Sequence, residues 1–308
     1  MRAKAELARL AGGRSAWYAV RMIGRGRPAL FQRFLPSPRQ RAFVWKYAQA
    51  VGGRRPRHFH DEPEFNLVVR GTALFGIGER VVSVSQGDLL AFPPGQDHAL
   101  LAGSPDLFLY AVGVDAGCSA EVLGARREPL MPLHVRLSAR ELSVAVESAA
   151  TIVDCTGTDA PGAELWARMH WLGEHAAPAG SPLTSHVLTR RALQLMSAAP
   201  ELGLSALASQ LRAHPSEVSR YFHRDMGTTL VAFRTRRRLL EVIRLVDAGK
   251  RDLMAAASHA GFGSYSQCHR AFQSEFGCAP SHFFSADQRL QMQLAYEPLS
   301  SCDEPEPR

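Results

Sequence analysis

The sequence predicts an α+β protein of two domains, an antiparallel β-barrel or sandwich in front and an all-α domain behind. Three observations carry that expectation. Residues 42 to 114 hold short apolar runs (FNLVV, ALFGI, RVVSVS, DLLAF, LFLYAVGV) broken by Gly, Pro and Asp at intervals of about ten residues, the rhythm of strands joined by tight turns. After Gly117 apolar residues recur at helical spacing, as in SARELSVAVESAATIVD (138 to 154), AELWARMHWLGEHA (163 to 176) and TSHVLTRRALQLMS (184 to 197). Further on, two segments repeat one layout: a short helix, a turn, a polar cap and a second helix closed by glycine.

Bulk properties set the class. A chain of 308 residues, 46% hydrophobic and 21% charged, is long enough for two cores of ordinary size. No apolar run approaches the roughly 20 residues of a membrane span, and MRAKAELARLAGGRSAW lacks the apolar stretch of a secretory signal, so the expected compartment is the cytoplasm and no membrane partner is expected. The cysteines, Cys118, Cys155, Cys268, Cys278 and Cys302, are odd in number and form no CxxC pair, which argues against a disulfide framework or a cysteine zinc site. Net charge is +7, distributed as +12 over residues 1–55, −8 over 56–183, +6 over 184–290 and −3 over the remainder. Two basic blocks around an acidic one suit a polyanionic partner for the ends and a different role for the middle; solvated surface is the plain alternative.

The elements divide the chain into a basic arm (1–40), a barrel (41–117), a helical dimerisation or linker region (118–182), a helical domain (183–287) and a tail (288–308). The Pro/Gly-rich stretch AAPAGSP (176 to 182) is the expected linker. Leu142, Val144, Val146 and Ile152, with Leu165, Trp166, Met169 and Leu172, form apolar stripes that serve either as core or as a dimer seam. The arm touches DNA, folds over a pocket in the barrel, or stays disordered; the residues alone do not rank these.

The repeated units are LSALASQLRAHPSEVSRYFHRDMG (204 to 227) and LMAAASHAGFGSYSQCHRAFQSEFG (253 to 277), joined by TTLVAFRTRRRLLEVIRLVDAG (228 to 249), which is long enough to be one helix. At 100° per residue the second helix of the first unit turns Val218, Tyr221 and Phe222 inward and sets Ser216, Arg220 and His223 opposite, with Glu217, Ser219 and Arg224 beside them. In the second unit Cys268, Phe272 and Phe276 point inward with Tyr265 near them, while Ser266, Gln267, Arg270 and Ser274 face out. An apolar back and a front of Arg, Gln and Ser is what reading base edges in a major groove requires. An ordinary amphipathic surface helix would look the same taken singly. The basic run RTRRR (234 to 238), Arg236 included, is expected to contact phosphates or to form a solvated face.

GFGSYSQCHRAFQSEFGCAPSHF (261 to 283) resembles the C-terminal signature of the AraC family of bacterial transcription regulators, through Gly261, Phe262, Ser266, Arg270, Ala271, Phe272, Phe276, Gly277 and Pro280. LASQL, PSEVSRYF and Gly227 resemble the same family's upstream helix-turn-helix. The resemblance covers residues 190 to 285 and implies two DNA-reading helices held on one linking helix, a homodimer and contact with RNA polymerase. It places DNA contacts on Ser216, Glu217, Ser219, Arg220, His223, Arg236, Tyr265, Ser266, Gln267 and Arg270. Four positions depart from the family: Arg212 stands at a turn position usually held by glycine, Leu230 replaces a proline, Cys268 an inward aromatic residue, and His214 a serine cap. A positive φ at Arg212 would carry strain of about 1 kcal/mol.

In the front half, HFHDEPEFNLVVRG (58 to 71) sets two histidines and a glutamate at metal-ligand spacing. Counted from Gly52, the positions of His58, His60, Glu64 and Gly71 resemble the first motif of the cupin family, a jelly-roll barrel, and Gly87, Pro93, Gly95 and His98 its second, with Ala102 where that pattern has asparagine. His58, His60, Glu64 and His98 can bind a divalent metal (Fe, Mn, Ni or Zn), bond a small-molecule effector directly, or remain as a structural remnant. No cofactor is expected to be required, and a divalent metal in the barrel is the one open alternative. The AraC resemblance implies an effector-sensing barrel and no enzyme; the competing expectations are a metal-dependent cupin enzyme with an accessory helical domain, and a helical adaptor that binds only protein.

Overall fold

A computed structural model of the chain describes residues 30–35, 40–48, 55–124, 132–153, 159–179, 186–199 and 202–285. Residues 1–29, the 180–182 part of the expected linker and the 288–308 tail lie outside the described residues.

The front half is built from β1 (Leu30–Phe31), β2 (Ala42–Ala48), β3 (Arg55–Phe59), β4 (Glu64–Arg70), β5 (Thr72–Ile77), β6 (Arg80–Ser85), β7 (Asp88–Phe92), β8 (His98–Gly103), β9 (Phe108–Val114), β10 (Leu133–Arg136) and β11 (Ala177–Pro178). They form two sheets, ordered β1-β3-β8-β5-β6 and β11-β10-β7-β4-β9-β2. Side chains alternate across each strand, so one set from both sheets, including Phe75, Val82, Leu90, Phe92, Leu100, Leu109 and Ala111, fills the barrel. The other set from the six-stranded sheet, including Val44, Phe65, Leu67, Leu89, Ala91 and Val112, is covered by α1 (Ala116–Leu123), α2 (Ala139–Val153) and α3 (Asp159–His175). With both faces buried, β7 (DLLAF) reads as an unbroken apolar run rather than an alternating one.

Leu165, Trp166, Met169 and Leu172 of α3 are buried against this sheet, so that stripe is core. Val144 of α2 is exposed, whereas Leu142, Val146 and Ile152 pack at the edge of the same core. The expectation that almost everything after Gly117 is helical, apart from the linker, meets two short strands. Leu133–Arg136 pairs antiparallel with β7, and Ala177–Pro178, inside the expected linker, pairs with β10. Four and two residues are too few to show a period of two; their partners supply the strand conformation. Arg136 and His134 anchor β10 by both reaching the buried Asp88 carboxylate.

The helical half comprises α4 (Val187–Ala198), α5 (Leu204–Gln210), α6 (Pro215–Met226), α7 (Leu230–Asp247), α8 (Leu253–His259), α9 (Tyr265–Phe276) and α10 (Pro280–Phe283). Its two units have separate cores that share α7: Leu230 and Phe233 join Val218, Phe222 and Met226, while Leu239, Leu240 and Ile243 join Cys268, Phe272 and Phe283. The turns are alike. Ala213 N–H bonds to Ala208 O and Phe262 N–H to Ala257 O, and the residue before each, Arg212 at φ 51° and Gly261 at φ 83°, is left-handed. Arg212 is therefore strained as its position suggested. His214 replaces a serine cap without loss, since its ring accepts from Ser216 N–H while Glu217 reaches back to the His214 N–H. Ser264 caps α9, and Gly227 and Gly277 close α6 and α9 in the left-handed conformation.

Candidate nucleic-acid interface and sensor pocket

On α6, Val218 and Phe222 are buried; Ser216, Glu217, Arg220 and His223 are exposed and Ser219 is half-buried. On α9, Cys268 and Phe272 are buried and Ser266, Gln267 and Arg270 are exposed. Each second helix thus turns a polar edge outward from its apolar back. Two of these side chains also brace their own helix starts: Glu217 accepts from His214 N–H at 3.3 Å, and Gln267 Oε1 accepts from Gly263 N–H at 3.0 Å. Tyr265 is half-buried against the second core, a scaffold position as much as a contact position.

Arg236 departs from the expectation. Only 7% exposed, it points away from solvent into the junction of the two domains, where Nη1 donates to Asp97 Oδ1 at 2.9 Å and Nε to Glu275 Oε1 at 2.7 Å. It has no free face for a phosphate in this arrangement. A buried guanidinium needs paired carboxylates, and Asp97 and Glu275 supply them. The run 234–238 is accordingly not one solvated face.

In the barrel, His58, His60, Glu64 and His98 are all buried, and one ligand atom from each lies within 4.8 Å of the others. His58 and His98 are cross-strand partners on β3 and β8, and Glu64 opens β4 on the facing sheet, so the cluster spans the barrel interior. Glu64 Oε1 accepts from Asn66 Nδ2 at 2.6 Å; Oε2 lies 2.7 Å from His60 Nε2 and 3.1 Å from His98 Nε2.

The ring protons are fixed by what the other nitrogens touch. His60 Nδ1 is 2.7 Å from Glu62 O and His98 Nδ1 is 3.0 Å from Gln96 O; carbonyls only accept, so both Nδ1 atoms donate. A neutral ring then presents an Nε2 lone pair to the Glu64 carboxylate, which is repulsive unless a proton or a cation lies between. Burial works against charge on His60, yet the hydrogen bond and charge of Glu64, with Glu62, outweigh it and raise the imidazole above its ordinary value. Burial would push Glu64 up, but His98 and His60 hold it well below the usual carboxylate range. Histidines whose Nδ1–H is spent on a backbone carbonyl and whose Nε2 converges on a carboxylate have the tautomer and orientation of metal ligands. The residues therefore fit a divalent metal held by His58, His60, Glu64 and His98, which would act there as a Lewis acid or as an anchor for a ligand.

Beside the cluster lies a small pocket with a cavity volume of about 30 Å³. Trp45, Tyr47, Phe75, Leu100 and Leu109 give it apolar walls, His58, Glu64, His98 and Asn66 a polar end, and Lys46 reaches it from β2. Phe34, from the described part of the arm, lies with its ring 5.5 Å from His60, and its carbonyl accepts from Trp45 Nε1. This stretch of the arm thus folds over the barrel. The sequence reading missed Asn66, whose signal was its place two residues beyond Glu64 on the same face, and the β2 aromatics, which alternate in AFVWKYA.

Two family models match the chain: a helix-turn-helix domain over residues 207–286 and a cupin domain over residues 46–110. A curated relative, described as the uncharacterized HTH-type transcriptional regulator YdeC of Bacillus subtilis (strain 168), is 42% identical over 50 residues, 16% of this chain. The match spans about a sixth of that relative's length, 17%. Among solved structures, ToxT from Vibrio cholerae O395 is 12% identical, with 83% of this chain and 98% of that one covered at a TM-score of 0.43. The C-terminal domain of AraT, a response regulator from Geobacillus stearothermophilus, is 18% identical over 39% of this chain and 94% of its own, at a TM-score of 0.32. The fold and the two matched domains define the class as a cupin joined to a helix-turn-helix domain. The chain carries a cupin domain at its front and a helix-turn-helix domain behind it.

Proposed function

We propose that this protein is a sequence-specific, DNA-binding transcription regulator whose cupin domain senses a small molecule. The observation that carries the reading is the duplication itself: two helix-turn-helix units share α7, and each turns a polar, exposed edge outward from an apolar back. Helices so mounted enter successive major grooves about 34 Å apart on one face of the duplex. Ser216, Ser219, Arg220 and His223 read the first groove, and Ser266, Gln267 and Arg270 the second. The effector occupies the pocket beside His58, His60, Glu64 and His98, with its polar end at the cluster or at a metal bound there. The cluster serves sensing and not turnover. As a regulator the protein works in the cytoplasm, as a homodimer, and meets RNA polymerase at its promoters.

The test is a titration of full-length protein and of Arg270→Ala on genomic duplexes over a range of salt. Log affinity is expected to fall with log salt, and Arg270→Ala to lose about 1 to 3 kcal/mol at one base position only. Equal loss on every sequence would remove Arg270 from base reading, and no binding to any duplex even at low salt would remove DNA as the partner.

A further inference from the structure

The cupin meets the helical half through the same segments that carry the cluster. Along β3 and the residue after it, His58 and His60 turn into the barrel, whereas Arg57 and Phe59 turn outward. Phe59 is fully buried beside Phe31 and Phe276, and the Arg236 guanidinium lies 4.6 Å above its ring. Arg57 bonds both the Asp97 carboxylate and the Gly78 carbonyl. The turn before β8 is similarly two-sided. His98 joins the cluster, while Gly95 O and Asp97 Oδ1 accept from Arg236 Nη1 at 3.3 and 2.9 Å, and Gln96 Nε2 donates to Met226 O at 3.1 Å.

A second docking point lies at the β5–β6 turn. Glu79 N–H donates to Gly227 O at 2.8 Å and Arg80 Nη1 to Asp225 O at 3.0 Å, both on the C-terminal end of α6. Gly78 and Gly227 meet backbone to backbone: a Cβ on Gly227 would lie 2.6 Å from Ile77 O, and one on Gly78 would overlap the Gly227 carbonyl. Around these points the acidic front faces the basic back. Asp61 is 3.6 Å from Arg237, and Glu79 is 3.6 Å from His223, a residue of the DNA-reading edge.

We propose that this docking is an autoinhibitory latch, in which Asp97 and Asp61 of the cupin hold Arg236 and Arg237 of α7; once the halves separate, Arg236 keeps Glu275 on Nε but turns Nη1 to a DNA phosphate, and Arg237 is released to another. The latch rests on the DNA-binding reading above. In the docked form the duplex competes with these carboxylates for two arginines, and Glu79 sets a carboxylate beside His223. Because β3 and the turn before β8 face the cluster on one side and Arg236 on the other, an occupant of the barrel that shifts either segment loosens or tightens the latch. It does so only by its differential affinity for the docked and released forms.

The experiment compares full-length protein, Asp97→Asn, Gly78→Ala and Asp106→Asn, titrated over a range of salt with a genomic duplex selected by the unaltered protein. Asp97→Asn removes the carboxylate without changing shape. Gly78→Ala forces the two backbones apart without changing charge. Asp106→Asn changes charge equally at an exposed turn between β8 and β9. Expected for the first two is binding about fivefold tighter or more, the lower range of ordinary coupling. Their salt slopes should steepen by about one for each arginine freed. Asp106→Asn should match the unaltered protein. Unchanged or weaker binding by either of the first two, or an equal gain in Asp106→Asn, overturns the latch while leaving DNA binding intact. Failure of all four proteins to bind any duplex overturns DNA binding and the latch together.

Discussion

Replacing Arg212 by glycine should stabilise the helical half. Arg212 is the one non-glycine residue with positive φ among the described residues, at 51°, and its side chain is exposed, so the change removes no buried contact. A left-handed residue with a Cβ costs roughly 1 to 2 kcal/mol. Glycine gives back about 0.5 to 1 kcal/mol through the greater freedom of the unfolded chain. The net expectation is a gain of about 0.5 to 1 kcal/mol, a few degrees in Tm for a domain of this size. Arg212→Ala keeps the strain and serves as the control. The reciprocal change, Gly261→Arg at φ 83°, should cost about 0.5 to 1 kcal/mol by the same balance, because it imposes on the second unit the strain the first unit bears. Urea unfolding followed by far-UV circular dichroism gives all three values. If Arg212→Gly unfolds at lower urea than Arg212→Ala, the left-handed strain assigned to this turn is wrong.

Two further outcomes follow from the front half. Burial pushes the Asp88 carboxyl up, but His134, Arg136 and the Ser85 N–H outweigh it and hold it below its ordinary value. A depressed folded value means its stabilisation is present above the unfolded value of about 3.9 and disappears as pH falls through the lower folded value. Asp88→Asn should therefore flatten the loss of stability below about pH 4, and an unchanged acid unfolding curve would count against that ion cluster. In the barrel, full-length protein should bind cobalt(II) with a visible ligand-field spectrum, and Glu64→Gln should weaken binding about tenfold or more. Equal uptake by both proteins would place the metal elsewhere.

How much of this was legible in the sequence depended on whether the deciding partner was near in the chain. The second helix of each unit was readable because Val218 and Phe222, or Cys268 and Phe272, recur within one helix, and the polar edges follow from the same periodicity. The strained turn at Arg212 was readable because a second copy of the turn holds glycine at Gly261. The cluster was readable for a similar reason: strand periodicity alone puts His58 and His60 on one face. What failed needed distant partners. Leu133–Arg136 becomes a strand only against Asp88–Ala91, and the stripe on α3 becomes core only because a sheet lies beneath it. Arg236 looked like its basic neighbours until Asp97, 139 positions away, was found to hold it.

The central claim is that α6 and α9 present their polar edges to one face of a duplex. Hydroxyl-radical footprinting of the selected genomic duplex, repeated with Arg220→Ala and Arg270→Ala, tests it most directly. The account predicts two protected tracts on the same face, centred about 10 base pairs apart, with each substitution relaxing base preference in a different tract. A single tract, tracts on opposite faces, or both substitutions acting on the same base pairs would contradict it.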